Sequence, residues 1–222
     1  MGADKTWRTG LFFLSLLSTA ALGRERPQVK VMIVVYDSAH MGAKTLDRTE
    51  RIAGTILKTA GIESHWDTGL VEDLRNVGTD FTAYSRADCE DRPSSAVLQV
   101  QIVARAPSGV AVHALGYSLP CAKLGVQVTI YADRAANVSE MGGPTFGRVL
   151  GYAIAHELGH VLLHSGAHDT SGLMKDVWSK RDWQRAAVSI IPFSATDVQR
   201  IGAFHQRLTD RDIPQLASLH SH

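Results

Sequence analysis

Residues 148–174 read RVLGYAIAHELGHVLLHSGAHDTSGLM, and the organisation of the whole chain turns on them. The first half is apolar on several sides, through Leu150, Ile154, Leu158, Val161 and Leu162, which predicts a buried helix. Within that helix, His156-Glu157-Leu158-Gly159-His160 puts two imidazoles four residues apart on one face, with a carboxylate beside the first. A buried imidazole pair needs a polar partner, and one metal ion satisfies both rings. Glu157 then stands where proton transfer at that metal needs a base.

A catalytic zinc ion takes three protein ligands and keeps a position open for water. No glutamate follows Glu157, so a third ligand from a glutamate on a later helix is excluded. The candidates are His164, His168 and the aspartates Asp169 and Asp176. His164 keeps the helical register, but eight residues of straight helix separate it from His156 by about 12 Å. Zinc–nitrogen bonds of about 2.0–2.1 Å cannot gather side chains so far apart with ease. A helix ending near residues 163–165, with a left-handed turn at Gly166, swings His168 back towards the metal. His168 is therefore favoured, with His164 or an aspartate as the alternatives.

Upstream of this helix, Gly142-Gly143-Pro144 punctuates the chain, and Pro144 suits a first helical turn. Residues 30–36 (KVMIVVY) form a nearly continuous β-branched run, as expected of a strand buried on both faces. Ala43–Ala60 has helical spacing in Leu46, Ala53, Ile56, Leu57 and Ala60, with Gly61 placed to end it. A short strand at Ile62–Trp66 completes a strand–helix–strand unit. Residues 67–94 are polar and turn-rich, a surface loop. Ser95–Arg105, Val110–Tyr117 and Val126–Asp133 are three further strands. Downstream, Ser194 and Asp197 resemble a capping box opening a last helix with Val198, Ile201 and Leu208 inside.

The chain has 222 residues, enough for one globular domain with a core of its own. Lys5 and Arg8 precede an apolar run from Leu11 to Leu22, closed by Ala21 and Gly23, so residues 1–23 read as an export signal and 24–222 as a single catalytic domain. The run is too short to span a membrane, where about 20 apolar residues are needed. Removing it leaves 21 basic and 21 acidic residues, counted by subtracting Lys5, Arg8 and Asp4 from 23 and 22. That neutrality gives no reason to expect a nucleic-acid partner or, once the signal is gone, a membrane one. A secreted or periplasmic location makes a Cys89–Cys121 disulfide the expected state of the only two cysteines.

The zinc helix and the loop after it resemble the metzincin clan of zinc endopeptidases, whose motif is H-E-x-x-H-x-x-G-x-x-H followed by a methionine turn. Gly172-Leu173-Met174 is similar to that turn, and His156 to Met174 spans 18 residues, as in matrixin-like members. Leu163 stands at the clan's glycine position and Gly166 at its third histidine, so the loop departs from the pattern. The chain is more similar to a group of secreted bacterial proteins with H-E-x-G-H-L-L-L, a histidine at the place of His168, and G-[IL]-M. Aspartate after the third histidine, as in His168-Asp169, marks one branch of the clan.

The resemblance implies an α+β (α/β-like sandwich) fold: a twisted mixed sheet of about five strands with a zinc helix, a methionine turn and a C-terminal helix. It implies one catalytic Zn2+ held by His156, His160 and His168, with Glu157 as the general base. It also implies an antiparallel edge strand, Val110–Tyr117, to which a peptide or protein substrate adds as a strand. No tyrosine follows Tyr152, so clan members that use a later tyrosine have no counterpart here. The expected activity is a secreted zinc-dependent endopeptidase. The alternatives are a zinc-binding module without turnover and a hydrolase of a non-peptide amide. Asp169 is read as orienting a ligand or capping the chain reversal, and Trp178 and Trp183 as lining a specificity pocket or packing in the core.

Overall fold

Strand β1 (Val29–Asp37) feeds helix α1 (Ala43–Thr59), which returns the chain to strand β2 (Ile62–Gly69), parallel to β1. The structure, a computed structural model, describes residues 29–69, 97–122 and 125–203. The expected signal segment, Cys89, Leu208 and most of the 67–94 loop lie outside the described residues. Strand β3 (Val97–Val103) pairs parallel with the other side of β1, and β5 (Val128–Tyr131) pairs parallel with β3. Strand β4 (Gly116–Ser118) closes the row antiparallel to β5, giving a mixed sheet of order β2-β1-β3-β5-β4. The α+β fold with a five-stranded mixed sheet is the one the resemblance implied.

Two strand expectations are corrected. β1 is buried on one face only: Val31, Ile33 and Val35 are in the core, while Met32 is 42% exposed. Helices α1 and α3 (Phe146–Leu163) pack against each other, and their buried residues share one core with Val31, Ile33 and Val35. The opposite face therefore carries apolar residues without matching burial, and an apolar run by itself could not distinguish the cases. The edge strand is three residues long rather than eight. Turns at Pro107–Val110 and Ala111–Ala114, with Gly109 at φ 88°, take up the segment that Val110–Tyr117 was expected to occupy.

Two helices were not foreseen. The apolar run expected as a strand to Asp133 stops at Tyr131, and α2 (Ala132–Glu140) follows at once. In its first turn, Asp133 Oδ1 accepts the backbone N–H groups of Arg134 (2.8 Å) and Ala106 (3.1 Å). Helix α4 (Lys180–Val188) opens with a capping box between Ser179 and Asp182. The later capping box is present as read: Asp197 N–H donates to Ser194 Oγ at 3.1 Å, and residues 195–203 form α5.

Helix α3 begins one step later than expected. Thr145 is its N-cap, so Pro144 precedes the helix instead of occupying its first turn. Its N-terminal half crosses α1 at close range through Gly147 and Gly151. A Cβ on Gly151 would come within 2.8 Å of Ile52 Cγ2 and Thr49 O, so only glycine permits this approach. Thr49 Oγ1 donates to the Gly147 carbonyl at 3.1 Å, fastening the two helices. The crossing fixes the height at which α3 presents residues 156–160 beside the edge strand.

Candidate metal centre

The end of α3 sets the geometry of the site. His164 adopts φ 49° and ψ 42°, so the left-handed residue that ends the helix is His164 and not Gly166. His164 N–H bonds to Val161 O at 3.2 Å and Ser165 N–H to His160 O at 3.1 Å, the paired bonds of a Schellman turn. The expectation of reversal after Leu163 was right, but the residue assigned to it was not. A left-handed conformation costs a non-glycine residue roughly 1 kcal/mol or more, and the two turn bonds help offset that cost.

This turn brings His168 back. One ring nitrogen each from His156, His160 and His168 lies within 4.8 Å of the others, and His160 Nε2 is 3.2 Å from His168 Nε2. Two nitrogens on a tetrahedral ion with bonds of about 2.0–2.1 Å would be separated by about 3.3 Å, so the spacing suits a shared metal. Neither His164 nor Asp169 nor Asp176 belongs to the cluster.

Backbone carbonyls set the tautomers. His156 Nδ1–H donates to Leu173 O and His160 Nδ1–H to Ser165 O, each at 2.8 Å. Both rings are thereby left with the Nε2 lone pair facing the third histidine, the arrangement in which outer hydrogen bonds orient metal ligands. Ser165 holds His160 twice, by its N–H to the backbone carbonyl and by its carbonyl to the ring. Asp176 Oδ1 is 3.6 Å from Nδ1 of His168, the most exposed of the three rings.

Glu157 lies on the buried side of this cluster. Burial pushes its carboxyl up to about 7, against the opposing hydrogen bond from the Ser118 hydroxyl of β4. The approach of β4 is close: a Cβ on Gly116 would be 3.3 Å from Glu157 Cγ and 2.5 Å from Thr129 O. Glycine at 116 therefore lets the edge strand lie directly against the carboxylate.

Below the histidines runs the Gly172–Met174 turn. Met174 is buried, and its thioether occupies the space that a Cβ on Gly159 would need. Leu173 N–H bonds to Pro192 O at 2.9 Å, and Asp169 N–H to Met174 O at 2.8 Å. The Asp169 carboxylate accepts Ser194 Oγ at 3.2 Å, so this aspartate ties the loop carrying His168 to the cap of α5. Trp178 and Trp183 line the cleft beside the histidines and pack edge-on against Tyr152 at 5.2 and 6.3 Å. The Tyr152 hydroxyl donates to Ser189 O and accepts Ile191 N–H, a structural use. The whole cleft measures about 1060 Å³. Sequence reasoning missed Ser118, Ser165 and the Leu173 carbonyl, because a backbone acceptor or a lone serine carries no pattern.

Burial holds the His156 ring down at about 4, opposed by its bond to Leu173 O and helped by the charges of His160 and His168. His160 is lowered for the same first reason. An unfolded histidine titrates near 6.5. Above that pH neither state holds the proton. As pH falls from 6.5 towards 4 the unfolded chain binds a proton that folded His156 refuses, so stability declines. The difference amounts to roughly 3 kcal/mol for this one ring. Glu157, raised to about 7, works the other way over the same window, so the ring is read in a Glu157→Gln background. There, stability of chelator-stripped protein to urea is expected to weaken as pH falls from 6.5 towards 4, and His156→Leu to flatten the slope. An unchanged midpoint between pH 7 and 4 would contradict it.

The sequence matches no protein-family model and no curated protein. Among solved structures, the fold is similar to that of a zinc-dependent peptidase from Methanocorpusculum labreanum strain Z, at 13% identity and a TM-score of 0.48, over 76% of this chain and 99% of that one. It is also similar to archaemetzincin from Methanopyrus kandleri, at 11% identity and a TM-score of 0.45, over 85% of this chain and 99% of that one. At these values the likenesses establish neither a shared activity nor shared site residues.

Proposed function

We propose that the chain is a secreted zinc-dependent endopeptidase of the metzincin kind, with one ion held by His156, His160 and His168 and with Glu157 as general base. The observation that carries this reading is the convergence of three imidazoles, two of them fixed by carbonyls with Nε2 facing the third histidine, beside a buried carboxyl. Three neutral nitrogen donors in a half-buried site fit zinc and leave a coordination position for water. Bound zinc supplies a Lewis acid that activates water and polarises a carbonyl. Glu157 takes a proton from the attacking water and passes it to the leaving nitrogen, a task that a carboxyl beside the imidazoles can perform in both directions. A peptide adding to the outer edge of β4 as a strand runs past this carboxylate, because Gly116 brings the strand against it. Secretion rests on residues 1–23, and a Cys89–Cys121 disulfide accords with Cys121 not being a free thiol. The Glu157 side chain, kept buried beside the imidazoles at a cost in desolvation, favours turnover over a silent zinc module.

The test is metal analysis of purified variants beside cleavage of an unstructured protein substrate. One zinc per chain is expected, with His156→Ala, His160→Ala and His168→Ala each losing it. His164→Gly is expected to keep both zinc and fold, since glycine takes the left-handed conformation without strain. Zinc retained in His168→Ala would remove that residue from the ligand set. Full zinc without cleavage of any peptide would remove the peptidase reading.

A further inference from the structure

One end of the cleft is formed by α2 and the irregular segment before β4, and its chemistry differs from the aromatic wall around Tyr152. Arg134, Val138 and Met141 line it from the helix side and Val112 from the segment. Arg134 Nη1 donates to Val112 O at 3.3 Å, which holds the guanidinium across the junction. Its Nε is buried without an acceptor among the described residues. The adjacent Asp133 makes no ion pair with it, and Oδ1 there accepts two backbone N–H groups. No carboxylate oxygen of the described residues comes within ion-pair distance of the Arg134 side chain, whereas the other half-buried cation of the cleft, Lys175, is matched by Asp182 at 2.6 Å. Arg134 is thus a partly desolvated guanidinium whose one described side-chain hydrogen bond is to a neutral carbonyl.

We propose that Arg134 makes this end of the cleft a carboxylate subsite, selecting peptides that present there an acidic side chain or a free C-terminal carboxylate. The identification of the ligand as a peptide rests on the peptidase reading above. Burial of Nε has removed part of the guanidinium's hydration in the free protein, so a carboxylate at its outer nitrogens displaces less water than it would at a fully exposed arginine. The fork also matches a planar carboxylate in two parallel hydrogen bonds. Val112 is 81% exposed and Met141 72% exposed, and both shield the same place from solvent once covered by a bound chain. Shielding of that kind strengthens a charge pair. A role confined to clamping Val112 predicts that loss of Arg134 weakens every peptide alike, whereas a subsite predicts a loss of discrimination.

The experiment uses the full zinc-loaded chain and two sets of matched peptides, one differing only by Glu against Gln at successive positions, the other by C-terminal acid against amide. Cleavage is read as kcat/KM, and binding is read independently on Glu157→Gln protein. The parent is expected to favour the carboxylate member of one set by about 10-fold or more, and the set concerned identifies the carboxylate's source. Arg134→Gln is expected to bring the ratio to within about 2-fold through KM rather than kcat, and Arg134→Lys to retain part of it. Equal or absent binding of both members by the parent, a preference surviving in Arg134→Gln, or a uniform loss for all peptides would overturn the subsite. Cleavage without preference leaves the peptidase reading standing alone. Arg134-dependent carboxylate binding without any cleavage removes that reading and leaves the subsite.

Discussion

Glu157→Gln is expected to retain one zinc per chain and to lower kcat by about 10²–10⁴-fold, with little change in KM. The amide has the size of the carboxyl it replaces, so the contact with Gly116 on β4 and the hydrogen bond with Ser118 survive. What it loses is the ability to accept a proton from water and return it to a leaving nitrogen. The buried carboxyl is held up at about 7 by desolvation, so at neutral pH it is costly in its ionised form. Replacing it with a neutral amide should therefore leave the melting temperature of the chelator-stripped protein unchanged or raise it. Loss of activity with unaltered zinc and unaltered or higher stability separates a proton-transfer role from a structural one. Loss of zinc in the same variant would show that Glu157 maintains the metal site, and undiminished turnover would place the base elsewhere.

The parts of this molecule that were legible in the sequence are those whose physics is local and periodic. The core faces of α1, β3 and α3 follow from apolar spacing, and the proximity of His156 to His160 follows from one turn of helix. The chain reversal after Leu163 was also legible, from a distance: eight residues of helix are too long for one metal to bridge. Its mechanism was not. Glycine is the usual left-handed residue, which pointed to Gly166, yet the two turn bonds to His160 and Val161 are available only if the residue immediately after Leu163 turns. Helix α2 was hidden because the apolar run of β5 continues in sequence up to its first residue, and the bond from Ala106 N–H to Asp133 Oδ1 beside the break joins residues 27 apart. Helix α4 had a readable signal in Ser179-x-x-Asp182. The same Asp182 also accepts Lys175, and these hydrogen bonds bring its carboxyl down to about 2 against the upward push of desolvation. Long-range fits such as Gly116 against Glu157 had none, because they join residues that no window of sequence contains together.

Gly159→Ala carries the second large effect, and its sign is informative. On helix propensity alone, alanine in place of an interior glycine stabilises a helix by about 1 kcal/mol. Here the new Cβ would overlap the Met174 sulfur and come within 2.8 Å of Phe193 Cε1, and both side chains are buried. Overpacking of this kind typically costs about 1–3 kcal/mol, so a net destabilisation is expected where the local rule predicts the reverse. The metal should feel it as well. The Met174 sulfur belongs to a flexible side chain, but that side chain is buried, and any shift passed to its turn reaches the Leu173 carbonyl that fixes the His156 ring. Displacing such an outer partner typically lowers metal affinity by about 10–100-fold. Adding Met174→Ala to Gly159→Ala removes the obstructing thioether, so the double variant is expected to be less destabilised than the sum of the two single changes. Chemical denaturation and competitive zinc titration of the four proteins measure both couplings. Simple additivity in stability, or full zinc affinity in Gly159→Ala, would mean that the methionine turn does not support the histidines through this contact.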